Sequence, residues 1–192
     1  MKKLILAIFI LSISYASAQS TWKVDAGHSS INFAVSHLVI SETTGSFDTF
    51  DITAVTEEGF TNPTFDVSIN TSSINTKNDR RDNHLRADDF FGAEKHPNIT
   101  FKSTSIEQTG EKTFLVKGNI TIKGVTKEIS FNGKLNGILK NDRGEKAGLK
   151  LTTTIKRTDF NVGKPGGSVG EEVEVTINLE MKMQLSTLKR NN

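Results

Sequence analysis

The sequence predicts an all-β protein, an eight-stranded antiparallel barrel with one short helix in the connection between the third and fourth strands. Three observations predict it. Apolar and polar residues alternate with period two in segment after segment, which places successive side chains on opposite faces of a strand. Most of the intervening segments are short and rich in turn-forming residues. An even number of up-and-down strands lets the first and last edges pair, which removes the exposed edges of an open sheet. At 192 residues the chain is expected to form one domain.

The first eighteen residues stand apart from this pattern. Lys2 and Lys3 precede an apolar run from Leu4 to Ile13, and Ala16-Ser17-Ala18 supplies a small-x-small cleavage pattern. Residues 1–18 therefore read as a signal peptide and residues 19–192 as a single barrel domain, periplasmic or secreted. The apolar run is too short to span a bilayer, which needs about twenty residues. No other run reaches that length, so no transmembrane segment is expected in the mature chain.

The strands follow in order, near 30–40, 45–56, 64–70, 98–106, 113–123, 128–138, 146–157 and 172–185. The last is the plainest: Val173, Val175, Ile177, Leu179, Met181 and Met183 alternate with Glu174, Thr176, Asn178, Glu180, Lys182 and Gln184. In the second, the parity slips, because Phe47 is on odd positions while Phe50, Ile52 and Ala54 are on even ones. This predicts a β-bulge near Asp48 or Thr49. The long connection from Thr71 to Pro97 holds RRDNHLRADDFF, Arg80 to Phe91, whose composition predicts the helix, ended before His96-Pro97. A second connection, Gly163 to Gly170, is a glycine-rich loop.

An apolar strand face also suits a membrane barrel facing lipid, but that architecture needs aromatic girdles. Trp22 is the sole Trp, and the sole Tyr, Tyr15, falls within the signal segment. The apolar face is therefore interior. Gly118, Gly133 and Gly137 share inward faces with Phe114, Phe131 and Leu135, which leaves two readings. The glycines either relieve crowding around bends and Phe rings or open an apolar tunnel. A tunnel would select a long apolar ligand, since burial contributes about 0.8 kcal/mol per methylene.

Other chemistries are excluded or unsupported. Cys is absent, which removes disulfides, thiol nucleophiles and a lipoprotein anchor. The chain carries 24 Lys+Arg against 22 Asp+Glu, and loss of Lys2 and Lys3 with the signal brings the two into balance. A neutral domain lacks the basic surplus that nucleic acid requires. His28, His37, His84 and His96 form no local ligand spacing, so no metal is expected. Asp79 with Asp82 and Asp88 with Asp89 lie beside arginines and read as surface pairing and capping. No GxSxG elbow or phosphate loop is present, and no catalytic residue or cofactor is expected.

Five motifs together resemble the YceI-like family. They are DAGHSSINFAVSHL from Asp25, Gly45 with Phe47 and Phe50, RDNHLRADDFF from Arg81 with KHPNITFKS from Lys95, GNITIKGVTKEISF from Gly118, and KRTDFNVG from Lys156. The resemblance spans the mature chain in order. It implies an extended lipocalin-like barrel and a binding or carrier protein for a polyisoprenoid or other long-chain amphiphilic lipid. The expected lining is Phe33, Val35, Phe47, Phe50, Phe101, Phe114, Val116, Ile120, Phe131, Leu135, Leu149, Leu151, Val175, Ile177 and Leu179, with His37 near a polar head. Two alternatives stay open: an enzyme acting on such a lipid, and a filled barrel serving as a secreted interaction module. A homodimer is an open alternative to a monomer.

Overall fold

The computed structural model describes residues 19–57 and 60–184. The signal segment, residues 1–18, lies outside the described residues. Alternation is realised as a closed antiparallel barrel of eight strand paths, as the sequence predicts. The first path is β1 (Ser20–Val24) and β2 (Ser30–His37), interrupted by a 3₁₀ turn at Ala26–His28. The second is β3 (Ser41–Phe47) and β4 (Phe50–Glu57). After β5 (Thr61–Asn70), the two-residue β6 (Ile74–Asn75) and α1 (Asp79–Arg86), the remaining paths are β7 (Asn98–Gln108), β8 (Thr113–Ile122), β9 (Val125–Asn141), β10 (Gly144–Lys156) and β11 (Val169–Gln184). Closure is made by β1, which pairs Trp22 with Ala54 of β4 on one edge and with Met183 of β11 on the other.

Two sequence expectations are corrected here. Strand β1 is not among the eight segments predicted, since it is only five residues long and its alternation is too brief to register. The parity slip at Asp48-Thr49 is a complete strand break, not a bulge. The Asp48 N–H donates to the Ser73 carbonyl, and Thr49 N–H donates to Ser73 Oγ. Beyond the break β3 pairs with β2 and β6, whereas β4 pairs with β1 and β5. The interruption at Ala26–His28 lies beside it, between the pairs Lys23–Thr53 and Ile31–Phe47. True bulges occur at Thr104 of β7 and Asn136 of β9, where the ladders shift by one residue.

Helix α1 forms where sequence predicts it. Asn78 caps it, accepting the Arg81 N–H at 3.0 Å. Asp82 is buried and accepts from the backbone and hydroxyl of Thr76, while Arg86 donates to the Ser72 and Ile74 carbonyls. These bonds hold α1 against β6, and its connection covers the barrel end at which β3 has parted from β5.

The interior divides into two halves. Toward β1 it is filled: Trp22, Ala54, Val116, Ala147, Leu149 and Met181 are buried. The Trp22 indole donates to Thr56 Oγ1 at 2.9 Å and packs edge-on to Phe60 with ring centroids 5.0 Å apart. Gly118 and Gly133 contribute to filling, not to a tunnel, whereas Gly137, beyond the bulge at Asn136, has nothing within 4 Å of its Cβ position. A Cβ on Gly118 would meet the Phe101 ring at 2.6 Å as well as the Lys102 carbonyl. Toward α1 the interior is hollow.

Candidate functional site

The hollow half is an apolar cavity of about 180 Å³. Inward positions of β2 to β5 and β7 to β11 supply its walls together with Ile74 of β6, and Leu85, Phe90 and Phe91 of the α1 connection supply its end. Phe47 stands edge-on to Phe91, with centroids 5.9 Å apart, and Phe101 edge-on to Phe131 at 5.2 Å. Such pairs add specific geometry to apolar burial. Ile99, Phe101, Ile120 and Ile122 are buried, whereas Phe33, Val35, Val173, Val175, Phe90 and Phe91 are half-buried. The accessible side of the cavity therefore lies between the β2–β11 pair and the α1 connection.

Of the residues the sequence proposes as lining, Phe33, Val35, Phe47, Phe101 and Ile120 are in the cavity wall, as are Phe131, Leu151, Val175, Ile177 and Leu179. The others are elsewhere. Phe114, Val116 and Leu149 are packed within the filled half, and Leu135 packs at its margin. Phe50 packs against the core beside the strand break. His37 is half-buried at the end of β2, opposite Val169, outside the wall.

Several wall residues escaped the sequence reading. Phe65, Val67 and Ile69 of β5 form one of its alternating faces, so their orientation was visible although their place in the cavity was not. Phe160 and Val162 come from outside the strands, where no period-two signal exists, as do Leu85, Phe90 and Phe91, although the helical composition of Arg80 to Phe91 makes Leu85 and Phe90 or Phe91 available to pack inward.

Among the described residues Arg157 is the one charged residue of the wall, only 7% exposed. It opens the 3₁₀ turn Arg157–Phe160 that ends β10. Its Nε donates to the Gly170 carbonyl at 2.7 Å, Nη1 to Val162 at 2.8 Å and Nη2 to Val169 at 3.0 Å. Among the described residues no carboxylate forms a salt bridge with it. A guanidinium has five N–H donors, so these three bonds leave donor capacity. Arg157 thus fastens the Gly163–Gly170 loop with all three guanidinium nitrogens, and the surface that faces the cavity is apolar.

The titratable clusters are not part of the cavity wall, although His84 stands edge-on to the wall residue Phe90 with ring centroids 4.8 Å apart. Asp89 is hydrogen-bonded to His84 at 2.8 Å, which holds its carboxyl below the usual range. Asp25, His28 and Glu180 bring ligand-type atoms within 4.8 Å of one another. Lys182 already pairs with Asp25 at 2.6 Å and Lys146 with Glu180 at 2.5 Å. A cation there would have to displace two ammonium groups. The Lys182 ammonium, then the His28 ring, hold the Asp25 carboxyl down to about 2.

Comparison with known proteins places this geometry. The YceI-like domain matches residues 22–181. A UPF0312 protein of Staphylococcus aureus strain bovine RF122 / ET3-1 is 40% identical over 141 residues, which covers 72% of this chain and 80% of that protein. The Campylobacter jejuni YCEI protein superposes with a TM-score of 0.71 at 28% identity, covering 96% of this chain and 100% of that one. BcnA of Burkholderia cenocepacia superposes with a TM-score of 0.75 at 22% identity, covering 82% and 98%. A polyisoprenoid binding domain from Saccharophagus degradans gives 0.64 at 18% identity, covering 85% and 98%. The last two likenesses speak for the fold. Taken with the domain match over most of its length, the barrel, its α1 cap and its apolar cavity make this chain a member of the YceI-like family.

Proposed function

We propose that this chain is a binding or carrier protein for a long-chain amphiphilic lipid of the polyisoprenoid kind, exported to a periplasm or secreted. The observation that carries the reading is the cavity wall, aliphatic and aromatic except for Arg157. A ligand tail gains about 0.8 kcal/mol for each methylene it buries there. Among the described residues the wall carries no carboxylate, imidazole, hydroxyl or amine that could transfer a proton. This favours binding over turnover. The Saccharophagus degradans domain, named for polyisoprenoid binding, shares the fold and so supports the ligand class. Export is supported by the basic, apolar and small-x-small order of residues 1–18.

A space of about 180 Å³ is below the roughly 300–1,000 Å³ of common ligand pockets. Uptake of a full chain therefore requires widening, and the half-buried Phe33, Phe90 and Phe91 side chains are placed to swing aside. The test is solvent extraction and mass spectrometry of the purified protein, together with uptake of added prenyl compounds from detergent. Recovery of a stoichiometric amphiphile is expected; neither native lipid nor uptake would overturn the reading.

A further inference from the structure

The hairpin joining β2 to β3 ends in Leu38, Val39 and Ile40, which are 55%, 97% and 86% exposed. Three consecutive aliphatic side chains in water are unusual for a loop tip. Their backbone is unusual too: Leu38 has φ +53° and Val39 φ +64°, and the Ile40 N–H closes the turn on the His37 carbonyl. Two adjacent left-handed residues are the geometry that Asn-Gly adopts readily and a β-branched residue resists. Among the described residues neither burial nor turn chemistry accounts for Leu38 and Val39, which leaves contact with an apolar partner.

We infer that this tip is a wedge that inserts into the interfacial layer of a lipid bilayer. The tip is narrow and convex, whereas a stable protein interface buries about 800 Å² per partner. It continues the cavity wall: Val35 precedes it on β2, Val169 faces His37, and the Leu38 N–H donates to Ser168. A lipid passing the accessible side of the cavity would meet the membrane at this rim. His37 and Ser41 flank the tip without a basic cluster, so attachment comes from apolar insertion and not from anionic lipid. The use of docking for lipid exchange rests on the proposed binding function; docking itself rests on the tip.

The experiment is flotation of the purified full chain with phosphatidylcholine vesicles at low and high salt. Binding that salt does not weaken is expected. The paired change Leu38→Asn with Val39→Gly gives the turn the residues it prefers, so the urea midpoint should hold or rise while vesicle binding falls roughly tenfold or more. Ile40→Ser, outside the left-handed pair, should lower binding as well. Leu139→Ser, at an exposed apolar position on the opposite end of the barrel, should not. No binding by the parent, binding only to anionic vesicles, full binding by the paired variant, or a dimer that this variant dissolves would each overturn the inference. Prenyl uptake from detergent, measured on the same samples, reports on the binding function separately: the paired variant should retain it.

Discussion

Phe114 of β8 and Gly133 of β9 are directly paired across the ladder, and the Phe114 ring occupies the space that a side chain on Gly133 would need, coming within 2.6 Å of its Cβ position. The glycine is a seat for the ring. Gly133→Ala should therefore destabilise the protein by about 1–3 kcal/mol, the usual range for overpacking. Phe114→Leu in the same background should recover part of the loss. Urea unfolding midpoints of the single and double variants check this; additive losses would show that ring and glycine are not coupled.

Bulk should have opposite consequences in the two halves of the interior. Val116→Phe, in the filled half, should cost about 1–3 kcal/mol. Val175→Phe, on the half-buried cavity wall, should leave stability within about 1 kcal/mol while reducing prenyl uptake, because its ring has space to enter. Thermal melts and uptake assays on the two proteins separate the effects.

Trp22 is the sole Trp and is 1% exposed within the filled half. Its fluorescence should be blue-shifted and resistant to acrylamide, with little change on ligand uptake and a large red shift on unfolding. A strong response to ligand at native stability would mean that the cavity reaches further than its walls indicate.

Replacing Arg157 should loosen one loop. Arg157→Met strands the carbonyls of Val162, Val169 and Gly170, at about 1–3 kcal/mol for a buried group left unpaired. Hydrogen exchange in residues 162–170 should quicken more than in β7 or β8. Arg157→Lys should rescue it poorly, since an ammonium cannot reproduce the planar fork.

Asp25 predicts a pH dependence. Its carboxyl is lowered from an ordinary 3.8 to about 2 by Lys182 and His28, so the folded state binds its proton less readily than the unfolded state. That contribution is complete above about pH 4 and is lost as pH falls toward 2. Asp25→Asn should melt lower than the parent above pH 4, with the gap narrowing on acidification. A gap independent of pH over that interval would assign the role to shape alone.

The direction in which side chains point was legible in the sequence; their depth along the barrel was not. Phe114 and Ile120 share one face of β8 and alternate identically, yet one packs in the filled half and the other lines the cavity. Six residues separate them, roughly 20 Å of strand. Period two carries no information on that axis. The helix was legible because the composition of Arg80 to Phe91 is a local signal, whereas its cap, Asn78, emerges from the structure. The break at Asp48-Thr49 registered only as a change of parity, because the Ser73 groups that satisfy its backbone come from a distant segment.

The side-by-side interruptions at Ala26–His28 and Asp48-Thr49 have a mechanical meaning. They form a crease across two neighbouring strand paths at the boundary between the halves. At this crease β3 is free of the β4 ladder, whereas β2 stays bonded along its length to β11, the unbroken strand that also carries Met181. Widening around a guest of variable girth is then asked of β3 and the α1 connection, and the seam of β2 with β11 sets its limit.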